Sequence, residues 1–556
     1  MDNVLSAIQE NKWEEALKLF MGTMAGRELD ENAYIIGATI LDHFEETESL
    51  FDMIQAGLKL NPFNYELYIL LGNYYAHINS EQALITYENA CYLASIYGTT
   101  EDISITRSIM DEYKNQHSTN VKKITILVMH DNERDYLDQC LKSISETCFD
   151  KCYKIVTVDV SDIKRRTSII NDAINSITDE SDIFFLQSDV CLTSNALYNL
   201  RLALYESPDT GSSSAVSNYA HFYQVPLDHN VKSLEDAKRF AFSHNIPMHN
   251  SYEKKCAIDG DFILIKREVI NKIFPLATEY LTDGYNFTEL CLNIILNGYR
   301  NIACWNSFVF RNMRSSIIAR DMQNMEIDRA TFYSKWGFKS EYYMGIRKEL
   351  VDLIKEDKSA PISVLEVGAG MGTTILNIKY RYPNANIKGI ELIDKVVGIA
   401  SNYVDIECAN IENYRFADDE KYDYIIFGDV LEHLVDPYSL VDRLKDNLKA
   451  NGCIIASIPN ILNGGVVYKL LHGDFTYEDS GILDRTHLRF FTQDSVVKLF
   501  TERGYDIIDL FGLPDPQHNT QLHKEFFDKL LNIEGVIEKI QFDILQYVVC
   551  ARKRNY

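Results

Sequence analysis

The chain has 556 residues, 46% apolar and 24% charged, the balance of an ordinary globular protein and not of a disordered one. Its length exceeds what one hydrophobic core serves, so roughly three or four domains are expected. With 81 acidic against 55 basic residues the formal charge is −26, which argues against duplex nucleic acid or an anionic membrane as main partner. Eleven cysteines lie scattered with no Cys-x-x-Cys pair, predicting reduced thiols, a cytoplasmic location and no zinc site. The start, Met1-Asp2-Asn3-Val4, has neither the basic region nor the apolar stretch of a leader, and no apolar run reaches membrane-spanning length.

Residues 1–118 read as helices. Asn61-Pro62 precedes Leu67, Leu71, Gly72 and Tyr75, followed by Ala83, Tyr87 and Ala90; Trp13, Ala16 and Phe20 echo the pattern. This spacing resembles a tetratricopeptide repeat, one residue tight between its helices. The resemblance implies a concave surface that recruits a partner, such as a flagellin-like or polymer-export protein. The alternative is a helical cap packed on the rest of the chain.

A polar stretch, Asn115 to Asn120, marks a boundary. Beyond it come strand Ile124–Val128, then His130-Asp131, a helical segment Tyr136–Thr147, strand Ile155–Val158 ending in Asp159, and strand Ile183–Leu186 ending in Gln187-Ser188-Asp189. Strands alternating with helices, with polar groups at strand ends, imply an α/β sheet whose site lies along that edge. Residues 122–315 resemble a GT-A glycosyltransferase of the family-2 type. The resemblance implies inverting transfer from a nucleotide-sugar donor, with Asp131 and Asp159 holding base and ribose. At the third strand end the family carries an Asp-x-Asp for a divalent metal, Mn²⁺ or Mg²⁺. Here Gln187 replaces the first aspartate, leaving Asp189 as the metal ligand. Ala257 to Ile265, with Asp259, resembles the family's acceptor-side strand. Glu289-Leu290-Cys291-Leu292 and Gly298-Tyr299-Arg300 resemble the helix after its catalytic Glu-Asp pair, but Asn286-Phe287 stands at the pair itself. Asp283 and Glu289 are the nearest carboxylates for the base. A degenerate domain that binds a sugar nucleotide or glycan without transfer is the alternative.

Residues 316–345 carry Phe332 to Phe338 and no Gly/Ser- or Pro-rich run, so a structured bridge is expected before a last domain over 346–556. There an apolar run, Val364-Leu365, ends in Glu366 and then Gly368, Gly370 and Gly372, with a helical segment following: a buried strand turning sharply into a helix. Glycine lets the backbone approach a ligand, since a side chain at Gly370 would fill that space. A second acid, Glu391, ends the next apolar run, placed for the hydroxyls of a ribose. This set resembles the S-adenosylmethionine site of class I methyltransferases. Tyr424–Gly428 reads as the fourth strand, followed by Asp429-Val430-Leu431-Glu432-His433-Leu434; later come Pro459-Asn460 and Thr486-His487-Leu488-Arg489-Phe490-Phe491-Thr492. These look like the signatures of the sugar- and quinone-type O-methyltransferases, and a last antiparallel pair is expected at Tyr505–Phe511 and Phe542–Ala551. The resemblance assigns cofactor contacts to Glu366, the three glycines, Glu391, Asn410, Ile411 and Asp429. Asn410 replaces the family's adenine-contacting aspartate, and an amide can still accept from the adenine amino group.

Methyl transfer needs an acceptor oxygen held in line and relieved of its proton. His433 is the candidate base, titrating near neutral pH, or else a histidine that only braces its loop. Glu432 is set aside, because adjacent loop side chains usually point apart. His487 and Arg489 flank Leu488 and are expected to project together over the acceptor, or to be surface residues at a strand start. Taken together, the chain reads as a helical region, a GT-A-like α/β domain and a Rossmann-like methyltransferase that build a methylated glycan, on a surface polymer or glycoprotein acceptor. A methyltransferase with a non-catalytic glycan-binding module, or a scaffold built on the repeats, are the rivals.

Overall fold

Asp30, Asn64 and Asn79 each accept a backbone N–H from the residue three further on, and Thr99 and Asp102 cap one another reciprocally. These polar residues start helices Glu31–His43, Tyr65–Ala76, Ser80–Tyr97 and Thr100–Gln116 by satisfying donors that have no partner within the helix. Asp2–Gln9, Trp13–Met24 and Thr47–Leu60 complete the helical region. Gly72 sets one approach: a Cβ there would lie 2.3 Å from Tyr87 Cε1, so only glycine admits the tyrosine ring.

The computed structural model describes residues 1–24, 29–131, 133–149, 152–226, 231–312, 315–515, 526 and 539–554. It divides into two units, Met1–Lys335 and Trp336–Tyr556. In the first, the helical region has small clusters of its own, such as Val4, Ala16, Phe20 and Ile40, but its largest one runs across the expected boundary at 118. Leu58, Leu71, Ile85 and Leu93 share one buried cluster with Ile126, Phe184 and Leu200. Gln82 donates to Leu202 O at 3.0 Å, and Glu88 pairs with the buried Arg201 at 2.9 Å. The apolar face of the helix pair is therefore covered by this unit's own sheet and helix Ala196–Leu204.

That sheet contains β1 (Ile124–His130), β2 (Tyr153–Asp159), β3 (Asp182–Gln187), β4 (Val190–Leu192), β5 (Thr210–Ser217), β6 (Tyr252–Lys255), β7 (Phe262–Ile265) and β8 (Arg300–Arg311). Its order is β2-β1-β3-β7-β5-β8-β4, with β6 on β8. β1 runs parallel to β2 and β3, with His130 opposite Asp159 and Met129 opposite Gln187. β7 runs antiparallel to β3, so its start and the β3 end meet at one edge.

The second unit holds β9 (Ser363–Val367), β10 (Asn386–Glu391), β11 (Ile406–Cys408), β12 (Tyr422–Gly428), β13 (Leu448–Pro459), β14 (Tyr505–Pro514) and β15 (Ile544–Lys553). Their order, β11-β10-β9-β12-β13-β15-β14, is parallel as far as β13 and antiparallel beyond. Alternate side chains serve two cores. Leu365, Ile425 and Ile454 face one cluster, while Val364, Ile426 and Ile455 face another with Leu350 and Ile378. This is the doubly covered, Rossmann-like sheet that a run of apolar residues at every position demands. The last strand begins at Ile544 rather than Phe542, because Lys539–Asp543 forms a 3-10 turn.

Candidate functional site

At the carboxyl end of β9 the glycine loop turns through Gly368, Gly370 and Gly372, with φ of +71°, +53° and +71°. Side chains are strained in that region, so glycine is required by the backbone itself. It is also required by the chain's own packing. A Cβ on Gly370 would lie 2.7 Å from Tyr343 O, which corrects the expectation that this space belongs to the ligand. The segment Tyr343–Arg347 is laced to the loop: Met371 N donates to Tyr343 O, Thr373 Oγ1 to Gly345 O, and Arg347 N to Thr374 Oγ1.

Acids line the same edge. Glu391, buried, accepts Gly370 N at 2.9 Å and the N–H groups of Leu392 and Ile393, which fixes its carboxylate beside the loop. Glu366 is 3% exposed, and its Oε2 has no hydrogen-bond partner among the described residues. Burial pushes its pKa up to about 8, with the Glu391 charge adding to the rise. Asp429 holds a left-handed φ of +54°, costly for a non-glycine residue and typical of functional loops. Its carboxylate accepts Ser457 Oγ at 2.6 Å and pairs with Arg347 at 2.8 Å. Asn410 follows β11; its Oδ1 accepts Glu412 N at 2.9 Å and retains a second lone pair. Ile411 beside it is buried. The structure thus brings the predicted cofactor residues to one strand edge. Sequence reasoning missed Arg347, the cation that faces Asp429, whose one signal was a lone arginine before a helix and after an aromatic run.

The acceptor side differs more from expectation. Leu431–His433 forms a 3-10 turn, so Glu432 and His433 do not point apart. Glu432, His433 and His487 present ligand-type atoms all within 4.8 Å of one another. Glu432 is 1% exposed, with neither carboxylate oxygen hydrogen-bonded among the described residues. Burial, then the Asp429 charge, push its pKa far above the carboxylate range. Its main-chain oxygen accepts Leu488 N and Arg489 N, docking the later segment onto the loop. His433 and His487 stand edge to face, ring centroids 4.6 Å apart. Burial and the neighbouring His487 lower the His433 pKa, and its Nδ1 lies 3.2 Å from Thr486 O. His487 and Arg489 do not project together: His487 is buried, whereas Arg489 is exposed and donates to Val435 O and Leu488 O.

At the edge of the first sheet the predicted residues are close, but largely occupied with one another. Asp131 follows β1 and is half-buried, and Asp159 is exposed and accepts Ser161 N at 2.9 Å. Asp189 accepts Arg311 Nε at 3.3 Å. Asp283, at the start of helix Asp283–Leu296, is held by Arg166 and by Gln187 Nε2 at 2.6 Å. Two expectations are corrected. Asp259 is fully buried and accepts the N–H groups of His221 and Asp261, so it shapes a turn instead of facing an acceptor. Glu289 lies about two turns along the helix from Asp283. There Tyr280 Oη and Lys335 Nζ, each at 2.7 Å, take its oxygens.

Residues 338–510 match a family model described as a methyltransferase domain. The malonyl-[acyl-carrier protein] O-methyltransferase of Bacillus cereus is 23% identical over 172 residues, covering 28% of this chain and 62% of that protein. The ubiquinone biosynthesis O-methyltransferase of Nitrosospira multiformis is 25% identical over 158 residues, covering 27% of this chain and 65% of that protein. The chain therefore spans less than two thirds of the length of these curated relatives. A solved SAM-dependent methyltransferase from Archaeoglobus fulgidus is 15% identical, with 38% of this chain and 97% of that chain covered at a TM-score of 0.29. One from Mesorhizobium loti is 13% identical, with 37% and 96% covered at 0.25.

Proposed function

We propose that this chain, whose residues 338–510 are a class I S-adenosylmethionine-dependent methyltransferase domain, transfers methyl to an oxygen of a glycan. The observation that carries the reading is adjacency. The acids around the glycine loop are followed, after Asp429, by the cluster of buried Glu432, half-buried His433 and buried His487. The cofactor, when bound, supplies an activated methyl group on a sulfonium, so the chain's own task is alignment and proton removal.

Glu391 fits the ribose hydroxyls, Asn410 and Ile411 the adenine, and Arg347 a carboxylate, which its fork can bind in bidentate fashion. Asp429 supplies negative charge for the cofactor's cationic groups, and Glu366, protonated near neutral pH without them, would ionise beside them. His433, kept neutral by burial and by His487, takes the proton of the acceptor hydroxyl. His487 orients the acceptor. Arg489 is left out of this role, because carbonyl oxygens already engage it.

A second reading is favoured by the two oxygens of buried Glu432, which have no hydrogen bond among the described residues. Glu432, His433 and His487 fit a divalent cation, which would polarise the acceptor oxygen there. Chelation separates the readings: methyl transfer that survives it belongs to His433 alone.

For the first unit we propose recognition of a nucleotide-sugar donor along the edge where Asp131 and Asp159 stand, with inverting sugar transfer onto the acceptor that is later methylated. Its support is the common edge of β1, β2 and β3. A binding module without transfer, and recruitment of a glycoprotein by the N-terminal helices, remain the rival assignments. Two assays decide. Radiolabelled methyl transfer is followed to free sugars and to catechols, and hydrolysis is followed across a panel of sugar nucleotides. Methylated catechols with untouched sugars would overturn the glycan assignment.

A further inference from the structure

The edge of the first sheet does not suit the divalent metal that its resemblance implied. One of the two metal positions is Gln187, and its amide donates to Asp283. The other, Asp189, is 5% exposed and accepts Arg311 Nε. Asp261, at the start of β7, lies 2.5 Å from Nη1 of the same guanidinium. Backbone bonds hold this arrangement in place: Gln187 N donates to Asp261 O at 2.8 Å, and Asn312 N to Asp189 O at 2.9 Å. The Tyr219 ring packs against the guanidinium, centroid to Cζ 5.6 Å. His221, Asp259 and Asp261 also cluster, but Asp259 there accepts two backbone N–H groups. A hard dication needs several carboxylate oxygens turned towards one point. Here the two nearest carboxylates are turned on a fixed cation.

We propose that Arg311 is the resident cation of this edge, standing where a divalent metal would stand, and that the edge takes a nucleotide's diphosphate without metal. The inference rests on the nucleotide-sugar reading of the first unit. Arg311 cannot lose its charge at any working pH, and its side chain remains 12% exposed. Asp189 and Asp261 engage Nε and Nη1, which among the described residues leaves the Nη2 side of the fork for a phosphate oxygen. Arg166, clamped on Asp283, adds a second fixed positive charge to the same edge. One guanidinium carries half the charge of a metal ion and is already shared with two carboxylates. Binding should therefore be weak but indifferent to chelators.

Calorimetry on the full chain with uridine diphosphate, in EDTA and then in excess Mn²⁺, tests this. The affinity should agree within about twofold between the two, since no metal is recruited. Arg311→Gln should weaken binding in EDTA by roughly tenfold or more, as expected for a lost charge-assisted bond. Mn²⁺ should then restore part of it, because Asp189 and Asp261 are released. Arg311 is largely buried, so Asp189→Asn provides a second measure, with uridine diphosphate affinity unchanged or higher if Arg311 is the cation. Binding that needs Mn²⁺ in the wild type and vanishes in Asp189→Asn would overturn the inference while keeping the nucleotide reading. Absence of binding under every condition would remove both.

Discussion

Both sheets carry acids along their functional edges, and both pair some of them, as Asp429 is paired with Arg347, but among the described residues the second leaves more buried carboxylate oxygens unbonded. In the second unit, Glu366 Oε2 and both oxygens of Glu432 are buried without hydrogen bonds among the described residues. In the first, Asp189 and Asp261 share Arg311, while Asp283 is held by Arg166 and Gln187. A buried polar atom without a hydrogen bond costs roughly 1–3 kcal/mol, so leaving three at the carboxyl end of one sheet is a strain the fold tolerates where a ligand will relieve it. Paired charges carry no such tension. The contrast separates an edge set up to bind from one that has largely satisfied itself.

The largest expected effect breaks the comparison at its active side. His433→Ala should lower the methyl-transfer rate by about 10²–10⁴-fold and leave cofactor affinity nearly unchanged, because only a proton-transfer interaction is removed. A variant as fast as the wild type would show that His433 is structural. Gly370→Ala should come next. Its Cβ would press on Tyr343 O and demand a left-handed backbone, costing about 1–3 kcal/mol of stability by thermal unfolding and loosening cofactor binding with it. An unchanged melting curve would contradict the packing described for the loop. Arg347→Met should weaken S-adenosylmethionine binding by about tenfold in calorimetry, near 1.4 kcal/mol, while leaving the fold intact.

Smaller effects sharpen the contrast. The Glu366 pKa is raised from 4.5 to about 8, so the protein without cofactor binds a proton on folding and loses stability as pH rises through that window. A cationic cofactor favours the ionised carboxylate. The thermal shift given by S-adenosylmethionine should therefore grow as pH rises towards about 8 and then level off, and Glu366→Gln should flatten that dependence. A shift independent of pH in the wild type would place Glu366 away from the cofactor. The smallest effect belongs to Glu289→Gln, which should leave any sugar-nucleotide hydrolysis within about twofold of the wild type, since Tyr280 and Lys335 hold that side chain. A collapse of hydrolysis with a normal melting temperature would return Glu289 to the catalytic set.

What could be read from the chain was whatever local spacing dictates. Three glycines at alternate positions specify a strand-to-helix turn, and Glu391 follows at the end of the neighbouring strand. Side-chain direction was not legible in the same way. Glu432 was set aside on the assumption of an extended loop, and a 3-10 turn placed it with His433 and His487. Arg489 and His487 sit two residues apart, yet one is exposed and the other buried, because the Glu432 carbonyl docks the intervening backbone. Arg311 and Arg347 escaped notice because each meets its acid across a long separation in sequence: Asp189 and Asp261 for one, Asp429 for the other. The helical region looked like a separate body because its repeat pattern is local, whereas the sheet that covers its apolar face begins beyond it.

That shared core has a consequence for cooperativity. Leu71, Ile85 and Phe184 lose water together, so the helices and first sheet are expected to melt in one transition, without a helical precursor. Amide protection across Tyr65–Ala76 should match that of β1, as in a single foldon, even though the two segments would be drawn as different modules from their patterns alone.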